Sequence, residues 1–214
     1  ECTLAKLVSP NSNDVLCGII LAVDRTHVAD KDKLSLEPVL FSLSIIPRAL
    51  RNHPFAWRPL GFIPKFSRSQ SFGFNTKTYH RVLGRMLSSL VLAQNKGGIK
   101  CTVLHQVDDG TDVELCFKVP LAFVIGDVEG HDVLCARYHT HNTTMLSREC
   151  NCSMADANNH QVQCEYIQAS ELTRLRESRD HRALKHMCFH NVTNAFDKVC
   201  FGANEYGIHR ATMS

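Results

Sequence analysis

Residues 15–24, VLCGIILAVD, and residues 120–127, PLAFVIGD, decide the fold of this chain. Each stretch is a nearly continuous apolar run that ends in an acidic residue, which is typical of a strand buried on both faces of a sheet. Between them, turn residues separate two further predicted strands, at residues 37–46 and 55–63. Apolar residues then recur at helical spacing over residues 76–94, and this spacing predicts a helix.

Local signals predict where the remaining elements of the first half lie. Pro59 cannot donate a ladder hydrogen bond, so the third strand should be an edge strand or should be interrupted there. Residues 99–107 and 113–119 flank the turn sequence Asp108-Asp109-Gly110 and predict a β-hairpin. Residues 129–138 are expected to form another helix.

The order of the elements predicts the fold class and the domain organisation. Strand, strand, strand, helix, strand, helix is the order of an RNase H-like core, so we expect an α/β fold with a mixed sheet and flanking helices in residues 1–142. Residues 143–214 are rich in Cys and His and predict a largely helical and loop insertion, with a charged helix at 169–185 and loops at 189–214. No apolar stretch approaches the roughly 18 residues of a membrane span, so no membrane partner is expected.

Two acids at strand ends are the candidate catalytic residues. Asp24 ends the first predicted strand and Asp127 ends a later strand that lies beside it in an RNase H-like sheet, so their carboxylates should converge. Neighbouring carboxylates repel one another and favour a pair of Mg²⁺ or Mn²⁺ ions, which at a separation of roughly 3.5–4 Å suit phosphoryl chemistry. The structural alternatives are a helix cap or turn acid ahead of Arg25 for Asp24, and a turn former after Gly126 for Asp127.

The basic residues are concentrated in one interval of the chain. No acidic residue occurs between Glu37 and Asp108, whereas ten lysines and arginines do. Such a concentration of positive charge gains affinity for a polyanion by counterion release, so we expect contact with a nucleic acid. The residues expected to contact phosphates rather than bases are Arg48, Arg51, Arg58, Lys65, Arg81 and Arg85. The alternative is that these side chains are solvated surface charges without a ligand.

Cysteines and histidines gather after the predicted core. Zinc takes four such ligands in a tetrahedral array, and we expect it in a structural role here. The preferred ligands are Cys150, Cys152 and Cys164 with either His139 or His141. The alternative is a set of ordinary buried cysteines and surface histidines. The distribution of all ten cysteines favours a reducing compartment over a disulfide framework.

Three stretches resemble one family of proteins. Residues 18–64, GIILAVDRTHVADKDKLSLEPVLFSLSIIPRALRNHPFAWRPLGFIP, are similar to the opening of the transposase domain of CACTA-type and Plavaka-type elements. Residues 123–152, FVIGDVEGHDVLCARYHTHNTTMLSRECNC, resemble the family's Gly-Asp, its following helix and its Cys-containing knuckle, although that knuckle usually has the spacing Cys-x-x-Cys. Residues 191–212, NVTNAFDKVCFGANEYGIHRAT, resemble the loop that precedes a Leu-His helix.

The resemblance implies a nuclear DDE/D DNA transposase in which Asp24 and Asp127 match the first two acids. It places the third acid on a helix beyond the position of Ser214, so we expect a catalytically incomplete fragment. The intact parent would bind double-stranded DNA at transposon ends and would cleave and join its phosphodiester bonds with Mg²⁺ or Mn²⁺, and its assembly as a homo-oligomer is left open. Two alternatives also stay open: a domesticated or decayed DNA-binding relative without catalysis, and a self-contained RNase H-like nuclease whose third acid is Glu165 or Glu171.

Overall fold

The computed structural model shows an α/β fold with two mixed sheets and several helices. The described residues are 8–9, 12–23, 26–27, 35–64, 66, 73–104, 112–137, 143–147 and 150–201. Their strands are β1 (Asp14–Leu16), β2 (Ile19–Val23), β3 (Thr26–His27), β4 (Ser35–Leu43), β5 (Arg58–Pro64), β6 (Ile99–Leu104), β7 (Asp112–Lys118) and β8 (Leu121–Ile125). Their helices are α1 (Arg48–Arg51), α2 (Phe74–Met86), α3 (Ser88–Asn95), α4 (Val128–Leu134), α5 (Ala169–Glu177) and α6 (His181–His186), with a short 3-10 helix at Pro54–Ala56. Within this part of the chain, no helix has the length and apolar character needed to cross a membrane.

The larger sheet is organised around β2. This strand pairs antiparallel with β4 on one side and parallel with β8 on the other. β3 pairs with β4 in the same register and on the same side as β2, while β5 pairs with the other edge of β4. The expectation that the first strand and the strand ahead of Asp127 lie side by side is confirmed. In the smaller sheet β7 is central, with β1 parallel and β6 antiparallel to it. The predicted hairpin of β6 and β7 is thus confirmed, and its turn at residues 108–110 lies outside the described residues.

The prediction of one continuous strand at residues 15–24 is wrong, because the chain passes from the smaller sheet to the larger one at Cys17 and Gly18. β1 belongs to the smaller sheet and β2 to the larger one. At the crossing, a Cβ atom on Gly18 would lie 2.9 Å from the Cβ of Ala122. The carbonyl oxygen of Gly18 accepts a hydrogen bond from the N–H of Ser44 at 2.7 Å. A residue without a side chain permits this close approach, and it divides the apolar run into two strands.

β5 is an edge strand, as Pro59 predicts. Among the described strands it pairs only with β4, and the register shifts between Val39 and Leu40, which lie opposite Gly61 and Pro59. Because proline has no N–H to donate, the ladder continues past it only through an irregularity of this kind.

The helix predicted at residues 76–94 is confirmed, with one break. α2 and α3 are separated by Leu87 alone. Leu87 is buried, and its N–H still bonds to the carbonyl oxygen of Leu83 at 2.9 Å, so the hydrogen-bonded path continues through the break. Together with Tyr79, these two leucines form the apolar stripe that packs into the core against the larger sheet.

The C-terminal region packs into the same hydrophobic cluster as the sheet. The charged helix predicted there is present as α5 and α6, which are divided at Arg179, where φ is 55°. Residues 189–201 are irregular, as predicted, yet Phe189 and Phe196 are almost completely buried in the main cluster. Apolar residues on both sides of the predicted domain boundary at residue 142 therefore share one cluster, and the boundary itself stays a prediction.

Candidate functional site

The carboxyl ends of β2 and β8 lie together at one edge of the larger sheet. The two strands run parallel and stay paired up to this edge. At the edge itself, a Cβ atom added to Gly126 would lie 3.0 Å from the carbonyl oxygen of Val23, so the two backbones are in contact. Asp127 follows Gly126 directly, whereas Asp24, the residue after Val23, lies outside the described residues. The structure therefore describes one of the two predicted catalytic acids.

Asp127 is the N-cap of α4. Its Oδ1 accepts a hydrogen bond from the N–H of Gly130 at 2.6 Å, and its backbone is extended, with ψ at 177°. The side chain is exposed, and its second oxygen has no hydrogen-bond partner among the described residues. A carboxylate with one oxygen in a cap and one oxygen open is a suitable ligand for a hard cation such as Mg²⁺ or Mn²⁺. The structural role of Asp127 is thus a helix cap rather than the turn former considered from the sequence, and this role is compatible with metal binding.

The predicted phosphate-binding residues differ in how their side chains are used. Those with exposed side chains are Arg48, Arg58, Arg81 and Arg85. Arg51 is half-buried, and its Nη2 donates to the carbonyl oxygens of Ser44 and Ile46 at 3.1 and 2.8 Å, so it holds the turn that follows β4. Lys65 lies outside the described residues. Arg58 is exposed, but its Nη1 also donates to the backbone carbonyl oxygens of Phe55 and Trp57, at 2.7 and 3.0 Å. Arg48, Arg81 and Arg85 are therefore the stronger candidates for contact with DNA.

A cleft of about 510 Å³ beside α2 is lined in part by a basic residue, Lys198, that the sequence analysis did not single out. Its lining includes Lys77 and Arg81, which lie one helical turn apart on α2, together with Lys198 from the C-terminal loop. Asp197 lines the same cleft and offsets part of this charge. Lys198 lies in a segment without apolar periodicity, so no pattern in the sequence connects it with α2.

Cys150, Cys152 and Cys164 lie together on a short antiparallel ladder, which we call the thiol ladder. Cys150 pairs with Tyr166 across this ladder. Burial raises the pKa of the Cys164 thiol to about 11, and the neighbouring thiols of Cys152 and Cys150 contribute to the rise. All three thiols are free. Three of the five predicted zinc ligands are therefore neighbours in space.

The two histidines among the predicted zinc ligands, His139 and His141, are not part of the described structure. Within the part of the chain that is described, no group of three or more His, Cys, Asp and Glu side chains is gathered tightly enough to hold a metal ion. The side chains of the thiol ladder are thus neighbours rather than a closed site, and the zinc assignment stays a prediction.

A buried ion pair connects α4 with the segment that leads into the thiol ladder. α4 ends at Leu134, earlier than predicted, and the guanidinium of Arg137 then lies 3.3 Å from the carboxylate of Asp132, each side chain being 2% exposed. The same guanidinium donates to the carbonyl oxygens of Met145 and Leu146. Because both charges are removed from water, each needs the other to remain buried.

His80 connects α2 with the C-terminal loop. It is buried, and its Nδ1 accepts a hydrogen bond from the N–H of Ala195 at 3.3 Å. Burial lowers the pKa of His80 to about 4, and the positive charge of Arg176 adds to the decrease. His80 is therefore neutral at neutral pH and acts as a hydrogen-bond acceptor in the packing of the loop.

The two acids considered for the third catalytic position of a self-contained nuclease line a cleft away from the strand ends. Glu165 and Glu171 lie with Arg174 and His186 around a volume of about 430 Å³. The residues that line this cleft come from residues 145–187, and none of them belongs to the larger sheet.

Comparison with known proteins identifies the family. No curated protein matches the chain. The family model described as Plavaka transposase matches residues 2–206, which is nearly the whole chain. This span includes both strand ends, the basic interval and the thiol ladder. The chain belongs to the Plavaka transposase family.

Proposed function

We propose that this chain is part of the catalytic domain of a nuclear DNA transposase, with Asp24 and Asp127 as the first two metal-binding acids. The observation that supports this most directly is the backbone contact between Val23 and Gly126 at the ends of two parallel strands. Each acid is the next residue along the chain from this contact, at a Cα distance of about 3.8 Å from its neighbour. Carboxylates at these two positions would together favour the binding of divalent cations.

The arrangement of the larger sheet supports an RNase H-like assignment. The strands lie in the order β5, β4, β2, β8, with β2 antiparallel to β4 and parallel to β8. α2 follows β5 in the chain and packs on this sheet, and α4 follows β8. This is the order of strands and helices from which an RNase H-like core was expected.

The residues of the chain have positioning roles in this proposal. Mg²⁺ or Mn²⁺ bound at the strand ends would supply activation of water or of a 3′-hydroxyl and would offset negative charge at the phosphate. Asp127 is held by its cap on the first turn of α4, which orients the carboxylate. The exposed cations on α2, Arg81 and Arg85, would contact the phosphates of the DNA backbone.

Mn²⁺ binding to the purified chain tests the pairing of the two acids. Asp24→Asn and Asp127→Asn should each weaken binding by about tenfold or more, because each removes one charged ligand. Asp112→Asn removes an exposed acid on β7 and is the matched control, which should bind as the wild type does. The electron paramagnetic resonance signal of free Mn²⁺ measures the binding.

Oxidative cleavage by Fe²⁺ with ascorbate and hydrogen peroxide locates the bound ion. Backbone breaks beside residues 24 and 127 together are expected, and breaks beside one of them alone would contradict the proposal. Salt-dependent DNA binding without any Mn²⁺ site would instead favour a DNA-binding relative without catalysis. Mn²⁺-dependent cleavage of duplex DNA by this chain alone, lost in Asp24→Asn, would favour a self-contained nuclease.

A further inference from the structure

Two adjoining clefts form one groove between α2 and the C-terminal loop. The larger, of about 510 Å³, runs along the helix, and the smaller, of about 390 Å³, lies at the start of the helix. Lys77 lines both clefts, and residues 190–198 line them on the side of the loop. A Cβ atom on Gly84 would lie 3.9 Å from the Cα of Ala195, so the helix and the loop are in contact. Each cleft lies within the range of about 300–1,000 Å³ that suits a compact organic ligand.

The groove carries an excess of positive charge. Lys77 and Arg81 on the helix and Lys198 on the loop line the larger cleft, and all three residues are exposed. The carboxylate among the described lining residues is that of Asp197, which lies 4.0 Å from the guanidinium of Arg176. Because Arg176 offsets this negative charge from within the protein, the three cations of the groove favour an anionic ligand.

Two rings line the smaller cleft. Phe74 is the first residue of α2 and is 53% exposed, and His181 is the first residue of α6 and is exposed as well. Proteins bind single-stranded nucleic acids with rings of this kind in a cationic groove, because bases stack on the rings while the cations contact the backbone. The bases of a duplex are stacked on one another, so a ring within a cleft can contact the face of an unpaired base only.

We propose that this groove binds single-stranded DNA. The rings of Phe74 and His181 stack on bases, and the cations of the larger cleft contact phosphates of the same strand. The polymer is DNA because the chain belongs to a transposase family. The groove is separate from the strand-end acids, since none of its described lining residues belongs to the larger sheet. Binding there needs no divalent cation, so this proposal and the proposed metal site can fail independently of each other.

Fluorescence anisotropy of the full chain with oligothymidylate and with duplex DNA, both in EDTA, tests the groove. Phe74→Ala should weaken single-strand binding by about fivefold or more, because one stacking contact is lost, and should leave duplex binding unchanged. Lys198→Ala should lower the slope of log K against log salt for the single strand by about 0.7, the value for one phosphate. Phe55→Ala, at a ring that is 57% exposed and lines neither cleft, is the matched control for Phe74. Lys96→Ala, at an exposed lysine that follows α3, is the control for Lys198.

Photochemical cross-linking of the wild-type chain keeps the test independent of any variant. An oligonucleotide with iodouracil in place of thymine should cross-link to the peptides that contain Phe74 and His181. Cross-links confined to other parts of the chain would overturn the proposal. An unchanged single-strand affinity in Phe74→Ala, or an equal loss for single strand and duplex, would overturn it as well. Tighter binding of oligouridylate than of oligothymidylate would make RNA the ligand and would overturn the assignment to DNA.

Discussion

Asp127→Ala and Asp127→Asn separate the two roles of this residue. The N-cap hydrogen bond to Gly130 is 2.6 Å long, and alanine cannot make it. Loss of an N-cap acceptor costs about 0.5–2 kcal/mol, and loss of a negative charge at a helix N-terminus costs roughly 0.3–1 kcal/mol more. Asparagine keeps the acceptor and loses only the charge, so it should cost no more than about 1 kcal/mol. The alanine variant is therefore expected to be the less stable of the two.

Urea unfolding and Mn²⁺ binding measured on the same samples check this. For a chain of about this size, 1 kcal/mol corresponds to a shift in Tm of roughly 2–4 °C. The alanine variant should lose stability at an unchanged m-value, whereas both variants should lose Mn²⁺ binding to a similar extent. Loss of binding without loss of stability in Asp127→Asn would identify the carboxylate charge, rather than the cap, as the feature that binds the metal.

Asp180 provides a matched control, because it makes the same kind of cap elsewhere. Its Oδ1 accepts a hydrogen bond from the N–H of Ala183 at 3.0 Å at the start of α6. Asp180→Ala should therefore lose about 1 kcal/mol of stability and none of the Mn²⁺ binding. The reasoning is refuted if Asp127→Asn binds Mn²⁺ as the wild type does, since Asp127 would then be a helix cap only.

Three further predictions concern pH dependence, the buried ion pair and DNA binding. The lowered pKa of His80 means that its contribution to stability is present above pH 6.5 and is lost as the pH falls toward about 4. In His80→Gln, the free energy of unfolding should accordingly decline less between pH 7.5 and pH 5, and identical declines would contradict the buried neutral state. Arg137→Leu removes the cation that faces a buried carboxylate, so the free energy of unfolding measured in urea should fall by about 3–5 kcal/mol. A decrease below about 1 kcal/mol would show that the pair is not buried in solution. Replacing Arg81 and Arg85 by alanine should lower the slope of log K against log salt for duplex DNA by about 0.9 for each phosphate that is no longer neutralised. Arg182→Ala, on α6 and outside the basic interval, should leave that slope unchanged in the same fluorescence anisotropy titration.

The sequence predicts the pairing of the larger sheet well, because β2 and β8 carry nearly continuous apolar runs. The expectation of burial on both faces is confirmed for β2 and is wrong for β8, where Phe123 and Ile125 are 64% and 50% exposed. Two such runs that end in acids were sufficient to place β2 beside β8 and to assign Asp127 to a strand end. Pro59 likewise predicted an edge strand from the absence of one hydrogen-bond donor. The sequence failed at Gly18, because a change of sheets within an apolar run depends on how closely another strand approaches, and periodicity contains no such information.

The contacts that the sequence did not predict are long-range and polar. Lys198 and Arg137 lie in segments without a repeating pattern, so their partners follow only from the tertiary fold. Cys150, Cys152 and Cys164 were grouped by spacing and residue type. The register that places them on one face depends instead on backbone bonds across the ladder, which spacing does not reveal.

α4 connects the strand-end acid Asp127 with the thiol ladder by a short path. Asp127 is its N-cap, and Asp132 within the helix pairs with Arg137 just beyond its end. The guanidinium of Arg137 holds the carbonyl oxygen of Leu146, and the N–H of Leu146 donates to the carbonyl oxygen of Cys152 at 2.9 Å. A buried ion pair adds little net stability relative to apolar packing, and its better-supported use is to select one arrangement among several. The pair therefore joins the end of a helix of 7 residues, whose N-cap is Asp127, to the segment whose backbone bonds to the thiol ladder.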